Sequence, residues 1–319
     1  MPRGALPRDG LPRGEPGLRP VNWFQGGALG LVQGLTEFLP VSSSAHLRIT
    51  AAFAGWDDPG SAFTAVSQIG TETAVLLFFR KDIARIVSTW ARSLRDPKLR
   101  DSLDARMGWL IIIGTIPISL LGVTLKNTIE GPFRDLRLIA ISLIVLGLIL
   151  GTADGYAARA GRRGRHAFAR RRKTIEDLNS RDGLIYGLCQ SLALVPGVSR
   201  SGATVSGGLF LGYGREAAAR YSFLLAIPAV LASGLFELKD VPDSEVAWGP
   251  TVLATLIAFG VGYAAIAWFL RYISTKSFAP FVIYRVALGL LLLALIASGH
   301  LDPNAAEGPS AAAPPPTAG

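Results

Sequence analysis

Charge is scarce in this chain. Asp, Glu, Lys and Arg together make up 17% of its 319 residues, against roughly a quarter in an ordinary soluble domain. Histidine occurs three times, methionine twice and cysteine once. The lone cysteine, Cys189, sits in an apolar stretch, excludes an internal disulfide and reads as a small packing residue. What fills the space is apolar: half of the residues are hydrophobic and the mean hydropathy is +0.39. This balance excludes a disordered chain, a disulfide scaffold and a typical cytosolic enzyme. The apolar residues come in runs of roughly 17 to 23, long enough to cross hydrocarbon as helices.

The formal charge of +9 would suggest nucleic acid in a soluble protein. Here the basic residues sit between apolar runs, the mark of cytoplasmic loops in membrane proteins, so no nucleic-acid partner is expected. Six stretches read as spanning helices: 62–79, 108–125, 138–156, 217–236, 250–270 and 283–298. Two further apolar segments are interrupted, 21–55 at Leu39-Pro40-Val41-Ser42-Ser43-Ser44 and 183–212 at Val195-Pro196-Gly197-Val198-Ser199-Arg200-Ser201-Gly202. Broken backbone is tolerated at membrane depth only inside protein or beside a wet cavity, so both read as re-entrant helical hairpins. Connections 80–106 and 157–182 are basic and read as cytoplasmic loops, whereas 237–248 carries Glu237, Asp240, Asp243 and Glu245 and falls outside. The Pro/Gly/Arg-rich arm 1–20 and the Ala/Pro-rich tail 301–319 are expected to be unstructured, flanking one membrane-embedded domain over 21–300.

The two interrupted segments align without gaps. Gln33 meets Gln190, Leu35 meets Leu192, Val41 meets Val198, Ser42 meets Ser199 and Ser44 meets Ser201. Each half then holds one hairpin followed by three crossings, and an odd number inverts the second half. The expected fold is an all-α polytopic membrane protein with six transmembrane helices and two re-entrant hairpins in an inverted repeat. Such repeats place an anion site near the midplane, at the N-termini of broken helices.

Polar residues cluster at both breaks. Gln33 and Glu37 are four apart and share a helix face. Pro40 ends that helix, and Ser42, Ser43, Ser44 and His46 follow. Ionisable groups in membrane sequence are by default functional, although the serines could merely cap a helix while Glu37 merely pairs with Arg200. The second cluster offers tight-turn glycines (Gly197, Gly202), hydroxyls (Ser199, Ser201, Thr204) and the Arg200 guanidinium, which can grip two phosphate oxygens at once. Gln68, Thr71 and Glu72 form a weaker third set, in which a second buried carboxylate could help hold a cation or pair structurally. His166 and His300 read as bystanders.

The stretches Gln-Gly-Leu-Thr-Glu-Phe-Leu-Pro-Val-Ser-Ser-Ser-Ala-His and Pro-Gly-Val-Ser-Arg-Ser-Gly-Ala-Thr resemble the two signatures of the bacterial undecaprenyl-diphosphatase (bacitracin-resistance) membrane family, over about residues 21–299. The resemblance implies hydrolysis of undecaprenyl diphosphate to the monophosphate and inorganic phosphate at the outer face of the bacterial plasma (inner) membrane. It also implies bacitracin tolerance and recycling of the carrier for cell-wall synthesis. Many members carry glutamate where this chain has Gln33, and glycine where it has Ala45.

On that basis Ser43 is expected to attack phosphorus with His46 as general base, and Arg200 with the amides near 199–202 to clamp the phosphoryl oxygens. Ser42, Ser44, Gly197, Ser199, Ser201, Gly202 and Thr204 are expected to line the headgroup site. Glu37 with Gln33 is expected to hold Mg²⁺ or Ca²⁺, hard cations that prefer oxygen. Attack by metal-bound water is the rival chemistry. A flippase of the phosphorylated carrier is the rival function, since the same architecture suits transport. A homodimer is the oligomer kept in view.

Overall fold

The computed structural model describes residues 21–124, 135–163, 171–239 and 247–305, and every regular element among them is helical. In chain order these are α1 (Trp23–Thr36), α2 (Ser43–Ala54), α3 (Gly60–Phe78), α4 (Arg80–Ser93), α5 (Leu103–Thr124), α6 (Leu136–Arg163), α7 (Ser180–Ser191), α8 (Arg200–Phe210), α9 (Arg215–Lys239), α10 (Trp248–Thr275) and α11 (Ala279–Ala297). Helices α5, α6, α9, α10 and α11 are each long and apolar enough to cross a membrane. The sixth span is α3, which bends by 73° into α4. The chain is a multi-pass membrane protein, and large side chains such as Leu120, Val123, Leu256 and Ile283 stand exposed on its flanks.

The two hairpins are α1–α2 and α7–α8, each arm only 11 to 14 residues long. At 1.5 Å per residue such an arm reaches roughly halfway to two-thirds across the hydrocarbon. Packing repeats between the halves. Helix α1 lies along α10 as α7 lies along α5, while α3 meets α9 and α6 meets α11. Both contacts of the short arms run over matched glycines, Gly26 and Gly30 on α1 and Gly183 and Gly187 on α7. A Cβ at Gly30 would fall 2.6 Å from the Cα of Ala254, and one at Gly187 would fall 2.7 Å from the Cα of Gly114. Small residues let helix backbones approach where lipid supplies no hydrophobic drive for association. Gly30→Ala is therefore expected to lower the apparent melting temperature of the detergent-solubilised protein, by about 1–3 kcal/mol of overpacking. Gly27→Ala, whose Cβ would meet only Ile257 at 3.9 Å, is expected to leave it unchanged or raise it.

Three boundaries differ from the sequence expectation. Residues 80–93, expected as basic loop, form the amphipathic helix α4. Its Ile86 is buried, Trp90 packs edge-on against Trp109 of α5, and Asp82 pairs with Arg220 of α9 at 2.6 Å. The basic residues occupy the wet face of a helix rather than a loop. Helix α6 likewise continues to Arg163, into the expected 157–182 loop. At the other end the chain packs beyond residue 301: Leu301 is buried and the carbonyl of Pro303 accepts the amide of Leu136 at 3.0 Å. The arm 1–20, residues 306–319 and His166 lie outside the described residues.

Candidate active site

Both breaks are built alike. Pro40 lacks an N–H and cannot extend α1, and Gly197 turns with φ +88° between α7 and α8. Just before each second arm stands a serine in the left-handed region, Ser42 at φ +77° and Ser199 at φ +69°; among the described residues no other non-glycine has positive φ. These two serines are partners in the gapless alignment of the halves. Each also lies beside the serine two residues on, with Ser42 Oγ 3.3 Å from Ser44 Oγ and Ser199 Oγ 3.2 Å from Ser201 Oγ. Strained backbone of this kind persists only where the surrounding structure holds it, and here it recurs at matched positions of the two breaks.

The breaks meet across the halves through Glu37. Its Oε1 accepts from Arg200 Nη2 at 2.6 Å, and its Oε2 accepts from Ser43 Oγ at 2.6 Å and Gln33 Nε2 at 3.0 Å. The side chain of Glu37 is 5% exposed and that of Arg200 18%. Ser201 Oγ donates to the carbonyl of Leu39 at 3.2 Å, a second link between the breaks. Helices α2 and α8 begin at Ser43 and Arg200, so two sets of N-terminal amides open where the breaks meet, a setting that favours an anion. Arg200 Nη1 and Nε have no protein partner among the described residues, which leaves them for a ligand. Glu37 thus pairs with Arg200, and the same carboxylate also accepts from Ser43.

His46 is placed differently from the expectation. Its Nδ1 lies 2.7 Å from the carbonyl of Ser42, its Nε2 lies 2.6 Å from Tyr284 Oη, and the ring stacks on Tyr284. Both nitrogens are occupied, and the hydroxyl of Ser43 points instead at Glu37. The carboxylate that accepts from the Ser43 hydroxyl is Glu37, at 2.6 Å. Two of the expected headgroup contacts are also spent inside the fold. The Thr204 hydroxyl is buried between the carbonyl of Arg200 at 2.8 Å and Ser222 Oγ, and Gly197 is packed against Ile139 of α6 with its carbonyl taken by Arg285. Gly202 donates its amide to Ser199 Oγ at 3.2 Å, capping α8. Ser42 and Ser199 are buried, while Ser44 is exposed.

Two residues that sequence reasoning passed over complete the site. Arg285 of α11 is fully buried and donates to the carbonyls of Pro40 (3.0 Å), Gly197 (2.8 Å) and Val198 (3.1 Å), and to Leu143 and Ser142 of α6. It cross-braces both breaks, and an arginine inside an apolar run was the signal that could have found it. Tyr284, next to it, orients His46. Glu72 of α3 lines the same narrow cleft as Glu37, Arg200 and Ser201, with Oε1 3.9 Å from Arg200 Nη2.

The sequence profile described as "Bacitracin resistance protein BacA" matches residues 27–291. A Frankia alni protein named "Undecaprenyl-diphosphatase 3" is 71% identical over 292 residues, 89% of this chain and 98% of that protein. One from Frankia casuarinae, named "Undecaprenyl-diphosphatase 2", is 71% identical over 91% of this chain and all of its own length. A Streptomyces avermitilis protein of the same name is 68% identical over 90% of this chain and 99% of its own. The fold is that of a multi-pass membrane protein whose polar side chains gather where two broken helices meet. The chain belongs to the bacitracin resistance protein BacA family.

Proposed function

We propose that the protein is an undecaprenyl-diphosphatase: it hydrolyses undecaprenyl diphosphate to undecaprenyl phosphate and inorganic phosphate, regenerating the lipid carrier of peptidoglycan synthesis and conferring bacitracin resistance. The observation that carries this reading is Glu37 holding Ser43 and Arg200 together, an acceptor for a nucleophile's proton beside a phosphate-gripping guanidinium. Transport of the carrier needs the guanidinium but not the hydroxyl–carboxylate pair, so hydrolysis is favoured over a flippase.

Ser43 Oγ attacks the terminal phosphorus as its proton passes to Glu37 Oε2. The new Oγ–P bond forms while the bond from phosphorus to the bridging oxygen breaks, and undecaprenyl phosphate leaves. Arg200, turning from Glu37 to the phosphoryl group, and the first amides of α2 and α8 neutralise the charge that develops. Glu37 returns the Ser43 proton to the bridging oxygen of the departing undecaprenyl phosphate. Again a carboxylate, it takes a proton from the water that attacks the phosphoserine and hands it to Ser43 Oγ as inorganic phosphate is freed. Ser199, Ser201, Gly202 and Ser44 surround the headgroup, and His46 holds the backbone of Ser42 in its strained turn.

The donors here are hard oxygens, Glu37 and Gln33 Oε1, with the buried Glu72 Oε2 lacking any partner among the described residues. Such a set suits Mg²⁺ or Ca²⁺, which would neutralise the diphosphate. At about 0.8 kcal/mol per buried methylene, the isoprenoid stays in lipid while its headgroup enters the cleft. The plasma membrane is the site of action, with the cleft opening to the outer face, as the acidic 237–248 connection and the basic 80–106 stretch suggest. The homodimer expectation is decided by the mass of the protein in detergent.

The test is phosphate release from a long-chain prenyl diphosphate by the purified protein, combined with acid quenching during turnover. Phosphate appears and phosphoserine maps to residue 43. Release without any label at Ser43, and undiminished in Ser43→Ala, would remove the nucleophile assignment in favour of direct attack by water.

A further inference from the structure

Glu72 takes no part in the proton and phosphoryl transfers described above, yet its place beside the site calls for a role of its own. It sits on α3, in neither hairpin, and its side chain is 7% exposed. Its Oε1 looks toward the guanidinium nitrogen that Glu37 already binds at 2.6 Å, and at 3.9 Å it makes no hydrogen bond there. Its Oε2 is buried and meets no donor among the described residues. A buried carboxylate oxygen without a partner is costly, and the cost is removed by a cation or a proton.

A proton would serve Glu72 alone, but the substrate's charge selects the cation. When ionised, Glu37 and Glu72 place two negative charges around the one positive charge of Arg200, and Arg285 is committed to backbone carbonyls. A diphosphate brings further negative charge to a cleft that already carries an excess of it. Gln33 cannot correct this, since its amide is neutral and its Nε2 points at Glu37 Oε2. A divalent ion between Glu37 and Glu72 removes the excess, satisfies the orphan oxygen and frees Arg200 to turn toward phosphate.

We propose that Glu72 is the second carboxylate of a divalent-cation site shared with Glu37, and supplies from α3 the charge that Gln33 lacks on α1. This rests on the diphosphatase reading for its biological sense, but the binding can be measured without turnover. The experiment titrates Mn²⁺ into the purified full chain in detergent and reads free Mn²⁺ by electron paramagnetic resonance, with no substrate present. Wild-type protein is expected to bind one ion. Glu72→Gln is expected to weaken binding at least tenfold, and Glu72→Gln combined with Gln33→Glu to recover most of the loss, because a second carboxylate is restored beside Glu37, where the Gln33 amide now lies 3.0 Å from its Oε2. Helical circular dichroism and elution volume confirm that each variant is folded. Gln33→Glu alone gives a second reading that does not depend on removing Glu72, with tighter binding than wild type expected. Equal Mn²⁺ affinity in wild type and Glu72→Gln overturns the proposal, as does a wild-type protein that binds no ion while hydrolysing the lipid diphosphate. Binding that depends on Glu72 in a protein without hydrolase activity upholds the cation site and strikes down the diphosphatase reading instead.

Discussion

Ser43→Ala and Glu37→Gln are each expected to lower kcat/KM for a long-chain prenyl diphosphate by about 10³-fold or more, and the double variant to be little worse than the poorer single one. The reason is geometric. Ser43 Oγ lies 2.6 Å from Glu37 Oε2, so the nucleophile and the acceptor of its proton act as one device. Removing either disables both, and energies within such a unit do not add. Glutamine keeps the shape of Glu37 and a hydrogen bond to Ser43, but it cannot take the proton and it removes the charge that parks Arg200. His46→Ala is the discriminating control. If the imidazole were the base, its loss would match that of Ser43. With Nδ1 on the Ser42 carbonyl and Nε2 on Tyr284, it is expected to cost far less, through a loosened turn at Ser42. Steady-state phosphate release for the wild type and the four variants, each normalised to folded enzyme, decides the matter. Additive losses in the double variant, or a His46→Ala defect equal to that of Ser43→Ala, would contradict this assignment.

The sequence already held the frame of the molecule. Periodic apolar runs located the six spans, and the gapless pairing of Ser42 with Ser199 located two serines that the backbone holds in the same rare conformation. Those features are local, written in the residues that display them. What escaped was relational. Helix α4 has the composition of a basic loop, and its helical face becomes apparent only when Ile86 and Trp90 find α5 and the bundle to pack on. His46 stands three residues after Ser43, which on helical spacing made it the natural base. The side chain instead turns to Tyr284, 238 positions away. Thr204 belongs to the phosphate-like motif by sequence, yet its hydroxyl is consumed by Ser222 on α9. In each case a distant helix supplied the partner that decided the role, and spacing along the chain carries no trace of it.

Arg285→Met is expected to be the most damaging substitution outside the reacting groups. The guanidinium is fully buried, donates to no carboxylate among the described residues and donates to five backbone carbonyls. Three of these, on Pro40, Gly197 and Val198, belong to the two breaks, where no helical N–H is at hand to replace it. Methionine fills much of the volume and leaves those oxygens bare, at about 1–3 kcal/mol each, so roughly 3–9 kcal/mol is at stake before relaxation. That is large against the 5–15 kcal/mol typical of a folded domain. The breaks should part, and because Glu37 follows α1 while Arg200 opens α8, activity should fall together with stability. Lysine retains the charge but lacks the planar fork that reaches both breaks at once, so Arg285→Lys is expected to fall between the two. The measurements are the apparent melting temperature in detergent and residual phosphate release from whatever fraction elutes as folded protein. An Arg285→Met protein that melts with wild type would show that the breaks are held by Glu37–Arg200 and Ser201–Leu39 alone, and that the buried guanidinium contributes charge rather than bracing.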